Sequence, residues 1–204
     1  MDPVDPVGPS SRLDAALAAI DAANAEDPAT VAHAELVSGW VQRLDPDATE
    51  AQLLAARACH LRRFTMPRAS YPEGRAGYLR WRAEAKKRHA AEVAAILTDA
   101  GYDTATVERV QAIIRKEGLR HDAQVQAHED ALCLTFLETQ LDETTASTGD
   151  EKMVEVLVKT LAKMSEQAIG AAAALPLSEA GAALLAEAVA GRGSDPHGAK
   201  GTGG

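Results

Sequence analysis

The sequence predicts an all-α protein, a single-domain helical bundle of about eight helices. Aromatic residues make up only 3% of the chain and hydrophobic residues 46%, so the core must be built largely from Ala, Leu, Val and Ile carried on helices. Apolar residues recur at helical spacing, and no segment alternates as a half-buried strand does. At 204 residues, one domain can bury a sizeable core without disulfides.

The N-terminal half is predicted to hold three helices followed by a long loop. Asp27 followed by Pro28 is typical of an N-cap with proline at the first helical position. Thr49 and Gln52 have the spacing of a capping box. Prolines and glycines interrupt the segment after the third helix, which indicates a loop. The predicted ranges are 11–24, 28–44 and 50–63 for the helices and 64–77 for the loop.

The C-terminal half is predicted to hold five helices. Gly101 and Gly118 stand at C-cap positions after two of them. The segment 123–142 is apolar on nearly every face, which is typical of a buried central helix, and Pro176 separates the last two helices. The predicted ranges are 78–100, 104–117, 123–142, 150–174 and 178–190.

The two ends and the cysteines bear on organisation and location. Residues 1–10, with three prolines, and 191–204, with six glycines, are predicted to be disordered ends of a helical domain spanning 11–190. Cys59 and Cys133 form no CxxC pair and no secretory segment precedes them, so we expect reduced thiols in a cytoplasmic protein. No apolar stretch is long enough for a membrane span, and no membrane partner is predicted.

The charge of the chain is unevenly distributed. The formal net charge is -9, yet segment 57–89 carries ten basic and two acidic residues and four of the seven aromatics. That segment is therefore +8 and the remainder -17. Arginine binds phosphate in a bidentate manner, and aromatic rings stack on bases. The alternative is that the segment balances the acidic remainder. The predicted substrate-binding residues are Arg62, Arg63, Arg68, Tyr71, Arg75, Tyr78, Arg80, Trp81 and Arg82.

Several ionisable residues share helical stripes with apolar ones. His89 lies on a stripe with Trp81 and Val93, and His33 lies on one with Val37. Burying such groups costs free energy unless they pair with each other, with arginines or with a metal. We therefore expect some of them to share a polar site, the alternative being that each is a hydrogen-bonded packing residue. The set is His33, His60, His89, Glu117 and Asp130, whereas His128 and His197 are expected to be solvent-exposed or tail residues.

Imidazoles with carboxylates suit a divalent metal ion, for which Mn, Fe, Zn and Mg are the candidates. The order His33, His60, His89, Asp130 is similar to that of HD-domain metal-dependent phosphohydrolases, which implies an HD-like helical fold with these four residues as metal ligands. HD proteins have Asp directly after the second histidine, whereas Leu61 follows His60 here. Glu117, Glu129 or His121 would then replace that ligand, with the two glutamates as the catalytic candidates.

A second resemblance covers most of the chain. The stretches 56–63, 67–82, 114–117 and 129–131 resemble the uncharacterised bacterial family known as domain of unknown function 4202, over about residues 12–190. The stretches around His60, His89, Glu117 and Asp130 are more typical of that family's pattern than the stretch around His33. This resemblance implies no particular activity.

Three functions follow as hypotheses. The first is an HD-like metal-dependent phosphohydrolase acting on a nucleotide or another small phosphorylated molecule, with the arginines of segment 57–89 holding the phosphate. The second is a non-catalytic RNA- or tRNA-binding module in which Trp81 or Tyr71 stacks on a base. The third is an HD-type di-iron oxygenase. A requirement for metal, the salt dependence of binding and the colour of iron-loaded protein would separate them.

Overall fold

The computed structural model of the protein describes residues 9–192, and every regular element in that range is helical. The all-α prediction is therefore confirmed. The helices are α1 (Pro9–Asn24), α2 (Pro28–Leu44), α3 (Glu50–Arg57), α4 (Gly74–Asp99), α5 (Thr104–Arg115), α6 (Ala123–Thr148), α7 (Asp150–Leu161), α8 (Glu166–Ala172) and α9 (Glu179–Arg192). Within this range, none of the helices combines the length and apolar character that crossing a bilayer would need.

The helix ends follow the capping signals in the sequence. The Asp27 side chain accepts a hydrogen bond from the Thr30 amide at the start of α2. Thr49 and Gln52 form a complete capping box at the start of α3. Gly101 and Gly118, which follow α4 and α5, both have positive φ angles of 79° and 76°, the left-handed conformation that favours glycine at a helix C-terminus.

Four predicted helices differ clearly from the structure. Helix α6 runs to Thr148 rather than to residue 142. Helix α3 ends at Arg57 rather than near residue 63, and the chain continues through turns in which Arg62 has a φ of 51°, a value that a right-handed helix cannot contain. Helix α4 begins at Gly74 rather than at Tyr78. The predicted helix over 150–174 is divided into α7 and α8, because the Ser165 side chain accepts a hydrogen bond from the Ala168 amide and starts a new helix.

The predicted disordered ends fall mostly outside the described residues, as does His197. Residues 9 and 10 belong to α1, and residues 191 and 192 belong to α9.

The chain divides into two compact units, Met1–Ala131 and Leu132–Gly204. In the first, α3 packs against α1, α2 and α5, and α4 packs against α5. Its core is aliphatic and contains the fully buried Ile20, Leu54, Leu61, Leu97, Val110, Ile113 and Val125. All residues discussed below as a candidate site lie in this unit.

In the second unit, α7 packs against α9. Met153, Leu157 and Leu161 on α7 and Leu184 and Leu185 on α9 are buried. Gly181 allows a close approach within this unit, because a Cβ there would lie 3.0 Å from Asp142 Oδ1 and 3.1 Å from a Leu141 methyl carbon.

Candidate functional site

Three histidines from separate parts of the first unit lie together. His33 is on α2, His60 is in the turn after α3 and His89 is on α4. The His33 and His60 rings are stacked, with centroids 4.5 Å apart and an angle of 8° between their planes. The His89 ring is 6.2 Å from His60. We refer to His33, His60 and His89 as the histidine cluster.

His89 is held in one tautomer. It is 3% exposed, and its Nδ1 lies 2.7 Å from the Leu61 carbonyl oxygen. A carbonyl can only accept, so Nδ1 carries the proton and Nε2 carries the lone pair. Nε2 is buried and has no hydrogen-bond partner among the described residues. Burial lowers the pKa of His89 to about 4, so the ring is neutral at pH 7.

His60 and His33 are also neutral. Burial is the main cause that lowers the pKa of His60 well below its usual value, followed by the charge of Arg63. Arg63 Nη1 lies 2.7 Å from His60 Nε2, and since a guanidinium only donates, that nitrogen accepts. Burial and then Arg63 lower the pKa of His33, whose buried Nε2 has no hydrogen-bond partner within residues 9–192.

Arg63 connects the histidine cluster to the basic segment. Its guanidinium carbon lies 4.5 Å from the centre of the Trp81 ring, as a cation–π contact. Trp81 is 7% exposed, and its Nε1 donates to the Met66 carbonyl at 2.9 Å. The Trp81 ring is thus a wall that orients Arg63, and it is not available to stack on a base.

Cys59 precedes His60 and is buried. Its sulfur and one ring nitrogen each from His33 and His60 lie within 4.8 Å of one another. Burial raises the pKa of the thiol to about 12, against the opposing charges of Lys116 and Arg63. The sequence predicted only that the Cys59 thiol is reduced. Its position next to His60 in the chain was the feature that could have indicated a second ligand.

Lys116 and Glu129 form a largely buried ion pair beside these residues. The Lys116 ammonium contacts a Glu129 carboxylate oxygen, and the two side chains are 16% and 3% exposed. The positive charge of Lys116 lowers the pKa of both His60 and Cys59, so the pair is part of their electrostatic surroundings. Lys116 ends α5 in the left-handed conformation with a φ of 62°, an uncommon conformation for a residue other than glycine.

The predicted carboxylates lie in three different settings. Glu129 is bound to Lys116, so its carboxylate is engaged by a cation. Asp130 is 3% exposed and accepts a hydrogen bond of 2.9 Å from Nε2 of the Gln126 side chain. Glu117 is exposed and pairs with Arg115 at 2.7 Å, so its side chain is on the surface rather than among buried groups.

The arginines of the basic segment have different surroundings. Arg68 donates to the Tyr71 carbonyl at 3.0 Å and therefore supports the loop. Arg80 pairs with Glu84, which also accepts from the Tyr71 hydroxyl at 2.6 Å. Arg62, Arg75 and Arg82 are exposed, and the Arg82 guanidinium lies 5.6 Å from the Tyr78 ring. A groove of about 350 Å³ opens along this segment, lined by Thr65, Met66, Pro67, Ser70, Tyr71, Pro72, Arg80 and Glu84.

Comparison with known proteins gives a family. The model of the domain of unknown function DUF4202 matches residues 14–185. The chain belongs to this family. No curated protein and no solved structure matches it.

The DUF4202 match spans the histidine cluster, Cys59, Arg63, Lys116 and Glu129. The residue after His60, where an HD protein has Asp, is Leu61, which is fully buried in the aliphatic core and offers only its carbonyl, to His89. Its side chain can bind no metal.

His128 corrects one expectation from the sequence. It was expected at the surface, but it is 2% exposed in α6 of this DUF4202 chain. Its Nδ1 has no hydrogen-bond partner among the described residues, and burial lowers its pKa to about 3. Because α6 is apolar on nearly every face, its sequence pattern does not predict whether a histidine on it is buried or exposed.

Proposed function

We propose that this DUF4202 protein is a metal-dependent phosphohydrolase that acts on a nucleotide or another small phosphorylated molecule at the histidine cluster. The observation that carries the proposal is the state of His89, whose Nε2 lone pair is buried, unprotonated and fixed in orientation by the Leu61 carbonyl. Metal-binding histidines commonly donate their other ring N–H to a backbone carbonyl in this way.

The chemistry of the cluster fits a divalent transition ion. A metal binds the neutral imidazole, and burial keeps His33, His60 and His89 neutral. Imidazole donors suit Zn and Fe, whereas Mg and Mn prefer oxygen. When bound, such an ion supplies an activated water and neutralises charge on a phosphoryl group.

Arg63 is the residue that would hold the phosphate. Its guanidinium already donates to His60 Nε2, and the Trp81 ring orients it. Guanidinium groups bind phosphate oxygens in a bidentate manner, so an anionic substrate would draw Arg63 away from His60 Nε2 and leave that nitrogen to a metal. The exposed Arg62 beside it would add a second positive charge.

The resemblance to HD-domain phosphohydrolases supports the proposal through the order of His33, His60 and His89 on successive elements. The Asp that follows the second histidine in HD proteins has no counterpart here, because the residue after His60 is the buried Leu61. We propose that Glu129 acts through Lys116, which it positions beside His60, and that the ion is held chiefly by imidazoles.

Two alternatives have less support. An RNA-binding module would use Trp81 or Tyr71 for stacking, but the Trp81 ring is buried against Arg63, and the Tyr71 hydroxyl donates to Glu84. A di-iron oxygenase needs carboxylates to hold two ions, and the Glu129 carboxylate is engaged by Lys116.

The test is phosphate release from nucleoside monophosphates and simple phosphomonoesters by protein purified without chelator and loaded with Mn²⁺, Fe²⁺ or Zn²⁺. We expect hydrolysis that chelation abolishes, and a loss of at least about a hundredfold in His60→Gln and His89→Gln, since even residues that only support a metal ligand matter tenfold to a hundredfold. His121→Gln is the matched control, because His121 is exposed. Hydrolysis that survives both cluster variants, or wild type that releases no phosphate with any ion, would contradict the proposal.

A further inference from the structure

We propose that Cys59 joins His33 and His60 in a metal site with one thiolate and two imidazole ligands, selective for zinc-class ions over Mg²⁺. The inference rests on the metal of the proposed function but not on phosphate chemistry. It assigns a role to a thiol that the sequence predicted only to be reduced.

The donor atoms lie close to the separation that such a site needs. The Cys59 sulfur and one nitrogen from each histidine lie within 4.8 Å of one another. With metal–nitrogen bonds of about 2.0 Å and metal–sulfur bonds of about 2.3 Å, tetrahedral ligands stand about 3.5 Å apart. A contraction of about 1 Å closes the site. The half-buried His33 and His60 rings are stacked in nearly parallel planes, so both must turn about their side-chain bonds to point their lone pairs at one ion.

The surroundings favour the thiolate once an ion is present. Lys116, Arg63 and the backbone N–H of His60 each act to stabilise negative charge on the sulfur. Burial outweighs them in the metal-free chain, where the pKa of about 12 keeps the thiol protonated. Binding breaks the S–H bond, forms a sulfur–metal bond and releases one proton to solvent.

The remaining groups fit a site with an open position. Catalytic zinc sites commonly have three protein ligands and a fourth position for water or substrate. His89 lies next to His60 with its buried Nε2 lone pair, so it can approach that position or a molecule bound there. A soft thiolate among the ligands excludes Mg²⁺.

Cys133 offers a matched control within the same chain. It is also a buried cysteine, at 5% exposure, but it does not belong to the group of His33, Cys59 and His60. Replacing either cysteine with serine makes the same chemical change in a buried setting, so a difference between the two variants reports on the site.

The experiment is a Co²⁺ titration of metal-free full-length protein, followed by absorption spectroscopy. We expect a thiolate-to-cobalt charge-transfer band in the near ultraviolet in wild type and Cys133→Ser, and no such band in Cys59→Ser. His33→Gln keeps the thiol and should keep the band, with affinity lower by about tenfold or more. If Cys59→Ser does not fold by circular dichroism, Cys133→Ser carries the test, because Zn²⁺ should then slow the reaction of its one remaining thiol with a thiol reagent.

The outcomes separate this inference from the proposed function. Cobalt that binds wild type without a charge-transfer band, or a band lost in Cys133→Ser and kept in Cys59→Ser, overturns the thiolate ligand and leaves the hydrolase intact. A charge-transfer band in protein that releases no phosphate from any ester sustains the metal site and overturns the hydrolase. Wild type that binds neither Co²⁺ nor Zn²⁺ overturns both.

Discussion

Buried imidazoles are the residues whose surroundings are least typical in this chain. A buried polar atom normally has a hydrogen-bond partner, and leaving one without a partner costs about 1–3 kcal/mol. His33, His89 and His128 each have one ring nitrogen of this kind. In the proposed site a metal ion would use the lone pair of His33, and His89 Nε2 would face that ion or a molecule bound to it. His128 is instead buried on α6, where the charges that act on it are those of Lys116 and Glu129.

The pH dependence of stability should report the burial of His128. Its pKa is about 3 in the folded chain against 6.5 unfolded, so the unfolded state takes up the proton first as pH falls. The contribution of His128 to the free energy of unfolding should therefore be complete above pH 6.5. Between pH 6.5 and pH 3 it should fall by about 1.4 kcal/mol for each pH unit. Urea unfolding of metal-free wild type and His128→Gln between pH 7 and pH 4 should show the shallower slope in the variant.

Exposed His121 provides the control for this titration, since His121→Gln removes an imidazole from the surface. Its slope should match that of wild type. Equal slopes for wild type and His128→Gln would mean that His128 is not buried as described.

At the scale of elements, the loop before α4 depends on one close backbone approach. Gly77 is buried in the first turns of α4. A Cβ at this position would lie 1.8 Å from the Pro72 carbonyl oxygen and 2.7 Å from its carbon. Only glycine lets the loop lie against the helix here, and the same loop carries Met66, whose carbonyl holds Trp81 beneath Arg63.

Gly77→Ala should therefore displace the loop from α4. Overpacking of this kind costs about 1–3 kcal/mol, and trypsin should cleave faster at Arg68 or Arg75, with a lower free energy of unfolding by urea. Gly170→Ala on α8 is the matched control, because nothing lies within 4 Å of its added Cβ. That variant should gain up to about 1 kcal/mol from helix propensity. Unchanged cleavage in Gly77→Ala would show that the loop does not pack on Gly77.

At the scale of the whole molecule, several basic residues of segment 57–89 already pair with acidic residues, so less positive charge is available to a ligand than the sequence suggests. Arg57 pairs with Asp21 and Glu35, Arg80 with Glu84 and Arg88 with Glu92. The net charge of the chain remains -9, so a long polyanion meets repulsion from most of the protein. A small phosphorylated molecule can approach the remaining arginines without that cost.

RNA should consequently bind weakly. We expect a dissociation constant above about 100 µM for a single-stranded RNA at about 0.15 M salt, in the range of non-specific binding or weaker. Fluorescence anisotropy at several salt concentrations measures it. Binding at micromolar concentration or tighter that persists at 0.15 M salt, and that Arg62→Gln weakens while Lys159→Gln does not, would favour the RNA-binding alternative; Lys159 is exposed in the second unit.

The sequence by itself determined the helical class, the capping at Asp27 and Thr49 and the presence of an irregular segment before α4, because these depend on local propensity and short-range hydrogen bonds. The bounds of that segment are 58–73 rather than the predicted 64–77. The sequence also indicated that His33 and His89 face inward, whereas the expectation for His60 assumed a helix that in the structure ends at Arg57. Tertiary structure decided what local patterns do not show: the pairing of Glu129 with Lys116, the burial of His128, the contact of Arg63 with the Trp81 ring, and the place of Cys59 beside two imidazoles. Each of these depends on contact between residues distant in the chain or on which face of a helix is covered, and helical periodicity fixes a side chain's direction without naming what it meets.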